Sequence, residues 1–130
     1  VVNTASMAGL IASKGMGVYN TTKYAVVGLS ETLQRDLREY EIGVSVVCPL
    51  GVATNIGASE RNRPAELAEE TVASTPVELV GDHLAPERVS ELVMKAIEIG
   101  ELYVVTHPEA APFIQKRFER IQRGVHNLHD

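Results

Sequence analysis

Cysteine, tryptophan and long apolar runs are all scarce in this sequence. It contains one cysteine and no tryptophan, and no apolar run approaches the roughly 20 residues that cross a bilayer. A lone thiol cannot form an internal disulfide, so Cys48 is expected to be a small buried side chain in a reducing compartment. The first residues have no basic segment followed by an apolar run, as a secretory signal would have. These absences predict a cytoplasmic protein that neither spans nor binds a membrane.

Excess positive charge is absent too. Lysine and arginine number 12 against 17 aspartates and glutamates, which gives a formal net charge of -5. Nucleic acids and anionic membranes are bound through concentrated positive charge, so the composition argues against both and favours a small-molecule partner. The histidines His83, His107 and His126 stand singly, without the neighbouring ligands of a metal site, and no metal site is predicted.

Apolar residues make up 45% of the 130 residues, which is enough for a single globular domain with a core. Runs of β-branched residues alternate with segments of helical periodicity. They predict a strand in 1–6, a helix over 18–40, a strand at 44–48, a polar segment over 55–84 with a short helix at 64–74, a helix over 86–99, a strand at 102–106 and a helix over 108–123. This order implies an α/β fold with a parallel sheet of three strands and helices on its faces. Since three parallel strands leave two open edges, we expect the sheet to belong to a larger one.

Each of the three longer predicted helices carries residues three and four positions apart that are expected to face the sheet. Gly43 and Gly100 are expected to end the first and second of these helices in a left-handed conformation. The stripes consist of Val26, Leu29, Leu33 and Leu37 in the first helix, Val89, Leu92, Val93, Ala96 and Ile97 in the second, and Phe113, Ile114, Arg117, Phe118 and Ile121 in the third.

Ser6, Tyr19 and Lys23 form the first candidate site. Tyr19 and Lys23 are one helical turn apart, and Ser6 stands thirteen residues before Tyr19, with glycines between them that allow the loop to fold back. A phenol has an ordinary pKa near ~10, so it relays protons poorly at neutral pH unless a nearby cation stabilises its ionised form. A serine hydroxyl at a strand end can hold a substrate oxygen on which charge develops. Together the three side chains suit proton transfer to an alcohol or a carbonyl compound.

Taken singly, these residues also have ordinary structural explanations. A serine in a turn is commonly a cap, and a Tyr-x-x-x-Lys pair is usually a packed aromatic beside a lysine stem. A second candidate site is the stretch from Pro49 to Thr54, which breaks the next strand at its carboxyl end, where ligands bind in open α/β sheets. Residues 55–85 are interpreted as a substrate lid, with a solvated surface excursion as the alternative.

Three stretches together resemble the short-chain dehydrogenase/reductase family. They run from Asn3 to Gly9 at a strand end, from Tyr19 to Lys23 on the following helix, and from Val47 to Thr54 after the next strand. The resemblance extends from Val1 to about Val105. It implies that the chain is the C-terminal half of a Rossmann-type, doubly wound parallel sheet. It also implies an NAD- or NADP-dependent oxidoreductase that interconverts a secondary alcohol and a ketone by hydride transfer.

The same resemblance implies a role for each candidate residue. Tyr19 corresponds to the catalytic acid/base, Lys23 to the residue that lowers the tyrosine pKa and binds the nicotinamide ribose, and Ser6 to the residue that orients the substrate oxygen. Members of the family pair through the tyrosine-bearing helix, so a homodimer or homotetramer is expected. The residues expected to bind the cofactor are Tyr19, Lys23, Pro49, Gly51, Val52 and Thr54, with the Thr54 hydroxyl meeting the carboxamide.

Two departures from the family pattern bear on these expectations. A glycine usually follows the proline of the third stretch, whereas here Leu50 follows Pro49 and Gly51 comes one place later. The sequence also lacks the glycine-rich Thr-Gly-x-x-x-Gly-x-Gly turn that binds the dinucleotide and the residue that selects NAD or NADP. The chain is therefore expected to be a piece of a longer protein. The alternative function is a catalytically inactive binding or assembly module.

Overall fold

The computed structural model describes residues 1–64, 66 and 82–129. The predicted order of elements is confirmed within these residues, whereas the predicted helix at 64–74 lies almost entirely outside them. Short 3-10 turns occur at Met7–Gly9, Arg38–Tyr40, Asn55–Asn62 and Pro108–Ala110. The strands and helices are β1 (Val2–Thr4), α1 (Gly17–Asp36), β2 (Ser45–Cys48), α2 (Pro86–Ile99), β3 (Tyr103–Val105) and α3 (Ala111–Asn127).

The sheet has the strand order β1-β2-β3, and both pairings are parallel. Val47 of β2 lies opposite Thr4 of β1 and Val104 of β3. All four residues of β2 are buried, as its β-branched content predicts for a central strand. Because the strands are parallel, their carboxyl ends meet at one edge of the sheet, which we call the strand-end edge.

Helices cover both faces of this sheet. Side chains alternate along a strand, so Val46 and Cys48 point to one face and Val47 to the other. Val46 and Cys48 pack in a cluster with Val27 of α1, whereas Val47 packs with Ala96 of α2. The result is a three-layer α/β arrangement with β2 at its centre.

The buried face of α1 differs from the predicted stripe at Leu29. Val26, Leu33 and Leu37 pack against the core as expected, but the Leu29 side chain is 55% exposed. Two polar residues, Asn20 and Ser30, occupy buried positions instead. Ser30 tolerates full burial because its hydroxyl accepts a hydrogen bond from Asn3 and donates one to the Val26 carbonyl. Position 30 rather than position 29 therefore faces the interior, and Leu29 lies at the surface.

The ends of the first two helices were predicted with unequal success. Gly100 ends α2 with a φ of 71°, so its predicted left-handed role is confirmed. Gly43 does not have this role. Because α1 gives way to a 3-10 turn, the left-handed residue is Glu41, with a φ of 56°.

Two predicted faces are less buried than their spacing implies. On α2, Ile97 is about half exposed, although the rest of its predicted stripe packs on the sheet. On α3, which extends to Asn127, only Ile114 of the predicted apolar residues joins the core, and Phe113, Phe118 and Ile121 lie at the surface. Helical spacing places residues on a common face but does not determine what covers that face. No described helix combines the length and apolarity needed to cross a membrane.

Candidate active site

Three connections leave the sheet at the strand-end edge, and each carries polar groups. Ser6 follows β1, Pro49 to Thr54 follow β2, and Thr106 and His107 follow β3. In open α/β sheets the ligand crevice lies outside the carboxyl ends of the strands. Ser6 of the first candidate site and the whole of the second therefore lie on the edge where a ligand is expected.

Ser6 is half-buried and lies beside the loop that follows β2. Its hydroxyl oxygen is 3.5 Å from the Pro49 carbonyl oxygen, and the Met7 amide donates to the same carbonyl at 2.9 Å. The Ser6 hydroxyl also accepts a hydrogen bond from the Ala8 amide at 3.1 Å, which caps the first 3-10 turn. The structure thus brings Ser6 to Pro49 and gives its side chain a capping role in addition.

Gly9 fixes the position of this turn against α1. A β-carbon at Gly9 would lie 2.6 Å from the Lys23 carbonyl oxygen and 2.9 Å from a methyl carbon of Val27. A β-carbon does not come this close to other heavy atoms in real proteins, so only glycine allows the approach. The absence of a side chain at Gly9 thereby places the turn after Ser6 against the part of α1 that carries Lys23.

Tyr19 and Lys23 lie on one face of α1, as their spacing predicts. The Lys23 ammonium nitrogen is 5.6 Å from the centroid of the Tyr19 ring, within the range of a cation–π contact. Both side chains are half-buried. Within the described part of the chain, neither the Tyr19 hydroxyl nor the Lys23 ammonium makes a hydrogen bond to protein. Both groups are therefore available to a ligand.

Asn20 is a site residue that the sequence analysis missed, although it stands between Tyr19 and Lys23 in the motif. Its side-chain amide donates to the Ser13 carbonyl at 2.9 Å and holds the loop before α1 against the helix. The side chain is buried, and its Oδ1 has no hydrogen-bond partner among the described residues. Asn20 thus helps to position the loop that joins Ser6 to Tyr19.

The stretch from Pro49 to Thr54 is held by the chain that returns at Leu84. Val52 forms an isolated parallel bridge with Leu84, and the Leu84 amide donates to the Gly51 carbonyl at 3.0 Å. Gly51 is buried, and a β-carbon there would lie 3.4 Å from the ring of His83. Segment 55–85 therefore has both of its ends attached to the strand-end edge.

Leu50 and Thr54 face different surroundings within this stretch. Leu50, which replaces the usual glycine of the family pattern, packs against the core cluster. Thr54 is exposed, and its hydroxyl oxygen accepts a hydrogen bond from the Ile56 amide at 3.4 Å. Among the described residues, Thr54 makes no hydrogen bond to Ser6, Tyr19 or Lys23.

His107 is a second residue that the sequence analysis missed. It is only 3% exposed, and both ring nitrogens are engaged: Nδ1 lies 2.7 Å from the Thr106 hydroxyl and Nε2 lies 3.0 Å from the Asp82 carbonyl. A carbonyl only accepts hydrogen bonds, so the contact to Asp82 requires a proton on Nε2. The position of His107 directly after β3 could have identified it, because the same rule selected Ser6 and Pro49.

The thiol of Cys48 lies beneath this edge at the last residue of β2. Cys48 is fully buried, as predicted. Burial raises the pKa of its thiol to about 11, and a backbone hydrogen bond from Ser6 offsets part of that rise. The thiol is therefore protonated at neutral pH and is a core side chain rather than a nucleophile.

The contacts join the Ser6 hydroxyl to Pro49 at the strand-end edge, the Lys23 ammonium to the Tyr19 ring, and the turn after Ser6 to the Lys23 backbone through Gly9. A phenol can exchange a proton with a substrate oxygen, a cation beside it stabilises the phenolate when it forms, and a hydroxyl can hold the oxygen during the exchange. No group of three or more potential metal-ligating side chains occurs in the described ranges. The chemistry that these side chains support is acid/base transfer to an oxygen-bearing substrate.

Comparison with known proteins identifies relatives of the chain. A family model described as short chain dehydrogenase matches residues 1–65. The chain is 33% identical over 134 residues to a CLA biosynthesis dehydrogenase/reductase of Lactiplantibacillus plantarum. This match covers 93% of this chain and 47% of that protein. It is also 33% identical over 133 residues to a C alpha-dehydrogenase of a Sphingobium species, over 96% of this chain and 43% of that protein.

A solved structure agrees with these relatives. A short chain dehydrogenase/reductase from Burkholderia phymatum, in complex with NAD, matches 95% of this chain and 48% of its own, with a TM-score of 0.79 and 36% sequence identity. The Rossmann-type fold predicted from the sequence is thereby confirmed. The chain spans about half the length of the curated relatives it matches. Half of the chain matches the family model, and the chain therefore belongs to the short-chain dehydrogenase family.

Proposed function

We propose that the protein containing this chain is an NAD- or NADP-dependent oxidoreductase that interconverts a secondary alcohol and a ketone. The observation that carries the proposal is the pair of Tyr19 and Lys23, which lie together on α1 and leave their polar groups open to a ligand. The relatives named as dehydrogenases support the reaction class. A small alcohol or carbonyl compound is accordingly the substrate class.

In the oxidation direction, Tyr19 accepts the hydroxyl proton of the alcohol as the carbonyl double bond forms. The carbon-bound hydrogen leaves with its electron pair as hydride, for which a bound nicotinamide supplies the acceptor. Lys23 stabilises the negative charge on the phenolate oxygen before the proton arrives. Ser6 donates a hydrogen bond to the substrate oxygen, without losing its proton, and holds that oxygen near Tyr19. Reduction of a ketone follows the same steps in reverse.

The polar groups around Tyr19 suit the nicotinamide half of such a cofactor. The Lys23 ammonium and the Tyr19 hydroxyl, which make no hydrogen bond to the described residues, are suited to ribose hydroxyls, and the exposed Thr54 hydroxyl is suited to a carboxamide. The NAD in the Burkholderia phymatum relative supports this class of cofactor. The sequence carries no glycine-rich turn for the pyrophosphate, so we assign that contact to the remainder of the full-length protein.

Replacing Tyr19 with phenylalanine tests the proposal. We expect Tyr19→Phe to lower kcat by about 100-fold or more, because a positioned acid/base contributes roughly that much. The assay is the appearance or loss of reduced nicotinamide absorbance in the full-length protein, with a panel of secondary alcohols and ketones. Tyr40→Phe is the matched control, since Tyr40 is exposed and lies beyond α1. Undiminished turnover in Tyr19→Phe would remove Tyr19 from the mechanism.

A binding or assembly module without catalytic activity is the alternative function for the 130 residues by themselves. The observation that favours it is the half-length match to the relatives. Calorimetry of this chain with NADH and with NADPH separates the two possibilities. Saturable binding would contradict the inactive module, whereas no binding would show that the chain needs the rest of the protein to hold a cofactor.

We also propose that α1 pairs subunits of a homodimer or homotetramer. Between Val18 and Thr32 the exposed face of α1 is uncharged and consists mainly of small or apolar residues, whereas the exposed Arg35 and Asp36 follow at the end of the helix. Faces of this composition allow two helices to approach closely, and charged residues are depleted from the centres of interfaces. The exposed residues of this face are Val18, Thr21, Thr22, Ala25, Gly28, Leu29 and Thr32.

A further inference from the structure

A cleft lies between α3 and the loop that joins Ser6 to Tyr19. It has a volume of about 160 Å³. One wall consists of Ile11 and Ala12, from the loop, and of Phe113 from the first turn of α3. The remaining lining residues are Lys116, Arg117, Arg120 and Arg123, all on α3. The cleft therefore has an apolar side and a side with four positive charges.

These charges stand out against the composition of the chain. Lysines and arginines number 12 in the chain against 17 acidic residues, yet α3 carries four lysines and arginines and a single acidic residue, Glu119. Glu119 accepts a hydrogen bond from Gln115 at 3.1 Å. Within residues 1–64, 66 and 82–129, none of the four cations forms an ion pair with a carboxylate. Grouped cations beside a low-dielectric wall raise the local concentration of anions.

Arg117 is held in place inside the cleft. Its guanidinium carbon lies 5.3 Å from the centroid of the Tyr24 ring and 5.5 Å from that of Phe118. Contact with two rings restricts the guanidinium without using its hydrogen-bond donors, which lie in its plane and point away from its central carbon. Tyr24 directly follows Lys23 on α1, so this contact also joins the cleft to the helix of the candidate site. A preorganised guanidinium without a carboxylate partner is suited to a carboxylate or phosphate ligand.

The size of the cleft limits the apolar part of the ligand. An apolar cavity of about 150 Å³ in another protein is known to hold one benzene molecule. We propose that the cleft binds a small amphipathic anion, in which one carboxylate or phosphate is attached to a compact apolar body about the size of a benzene ring. The anionic group contacts the arginines, and the apolar body packs against Ile11 and Phe113. This site is separate from the proposed Tyr19 chemistry and does not depend on it.

Calorimetry of the full-length protein with four probes tests the proposal. Benzoate and phenyl phosphate carry both parts of the ligand, benzyl alcohol carries the ring without charge, and inorganic phosphate carries charge without the ring. We expect benzoate or phenyl phosphate to bind at least about tenfold more tightly than benzyl alcohol and inorganic phosphate, because only they use both walls. The preferred probe of the two identifies the anionic group. The affinity is expected to fall as ionic strength rises.

A double variant locates the binding. Arg120→Gln with Arg123→Gln removes two exposed cations without a carboxylate partner among the described residues, and is expected to weaken the preferred probe by about tenfold. The control, Arg88→Gln with Lys95→Gln, makes the same change of net charge on α2 and is expected to leave the affinity unchanged. Circular dichroism checks that both double variants fold. If a double variant does not fold, its two single substitutions are measured separately instead. Tyr19→Phe should bind the probe normally, which separates this site from the proposed reaction.

Four results would overturn the proposal. Equal binding of benzyl alcohol would show that the cations are not used, and equal binding of inorganic phosphate would show that the apolar wall is not used. Undiminished binding in the double variant, or no binding of any probe, would show that the cleft is not the site.

Discussion

At the scale of single residues, Cys48 is the group with the clearest dependence on pH. It is fully buried at the end of β2, and its thiol pKa is raised to about 11 from an ordinary value of 9.0. The unfolded chain therefore loses the thiol proton at a lower pH than the folded chain does. Stability is unaffected below about pH 9 and is progressively lost as the pH rises from about 9 to about 11.

We expect this loss to amount to roughly 1.4 kcal/mol at about pH 10, since one pKa unit separates that pH from each of the two values. The measurement is urea unfolding of the wild-type protein and of Cys48→Ala at about pH 7 and about pH 10. Cys48→Ala lowers stability at both values by leaving a small cavity, but it cannot titrate. The difference in unfolding free energy between the wild type and Cys48→Ala should therefore be smaller by roughly 1.4 kcal/mol at the higher pH. An unchanged difference would contradict a protonated, buried thiol.

Polar residues show why the sequence predicted the candidate site only in part. Ser6, Tyr19 and Lys23 were identifiable because their spacing and their place after a strand carry chemical meaning. Asn20 was not identified, because its part in the site depends on a hydrogen bond from its amide nitrogen to the Ser13 carbonyl. The place of His107 after a strand could have marked it, but its contact with the Asp82 carbonyl could not be foreseen. Such pairings depend on the folded geometry, and a pattern of residue types contains no information on them.

At the scale of elements, the contact between the first 3-10 turn and α1 determines how the candidate residues approach one another. Gly9 touches the Lys23 backbone so closely that any side chain must displace one of the two elements. The displacement would also move Ser6, which caps the same turn. Gly9 was visible in the sequence only as a loop glycine, since nothing in a sequence shows which backbone a glycine will meet.

We expect Gly9→Ala to destabilise the protein by about 1–3 kcal/mol, the usual consequence of an added methyl group in a packed site. It should also lower turnover through the displacement of Ser6 from Tyr19. Thermal unfolding and the nicotinamide assay measure the two effects. Gly124→Ala on α3 is the matched control, because apart from its neighbours and the backbone of its own helix no described atom lies within 4 Å of the added carbon. In a helix interior this substitution is expected to stabilise by roughly 0.5–1 kcal/mol. If Gly9→Ala and Gly124→Ala changed the stability in the same direction, the close contact at Gly9 could not be the cause of the change.

The elements themselves could be predicted well where local signals agree. Proline at the start and glycine at the end fixed both limits of α2. The buried faces were predicted less well, because Leu29 and Ile97 lie at the margins of stripes whose orientation depends on the whole sheet. For α3, spacing indicated an apolar face without showing that most of it stays at the surface.

At the scale of the whole molecule, the chain spans about half the length of its relatives. The exposed face of α1 is the surface through which we propose that subunits pair, and Tyr19 and Lys23 belong to the same helix. Pairing through this face would hold α1 rigidly in place and would link the position of the candidate residues to subunit association.

A single added charge tests the pairing of α1. In a twofold interface every residue occurs twice, so Ala25→Glu would place two like charges close together at the centre of the contact. Such a juxtaposition costs several kcal/mol, which corresponds to a dissociation constant about 100-fold or more higher. Sedimentation velocity of the full-length protein should therefore show an oligomer that Ala25→Glu converts to monomers. Gln122→Glu, which adds the same charge on the exposed surface of α3, should sediment as the wild type does. A wild-type protein that is monomeric, or an Ala25→Glu oligomer that is unchanged, would exclude α1 as the subunit contact.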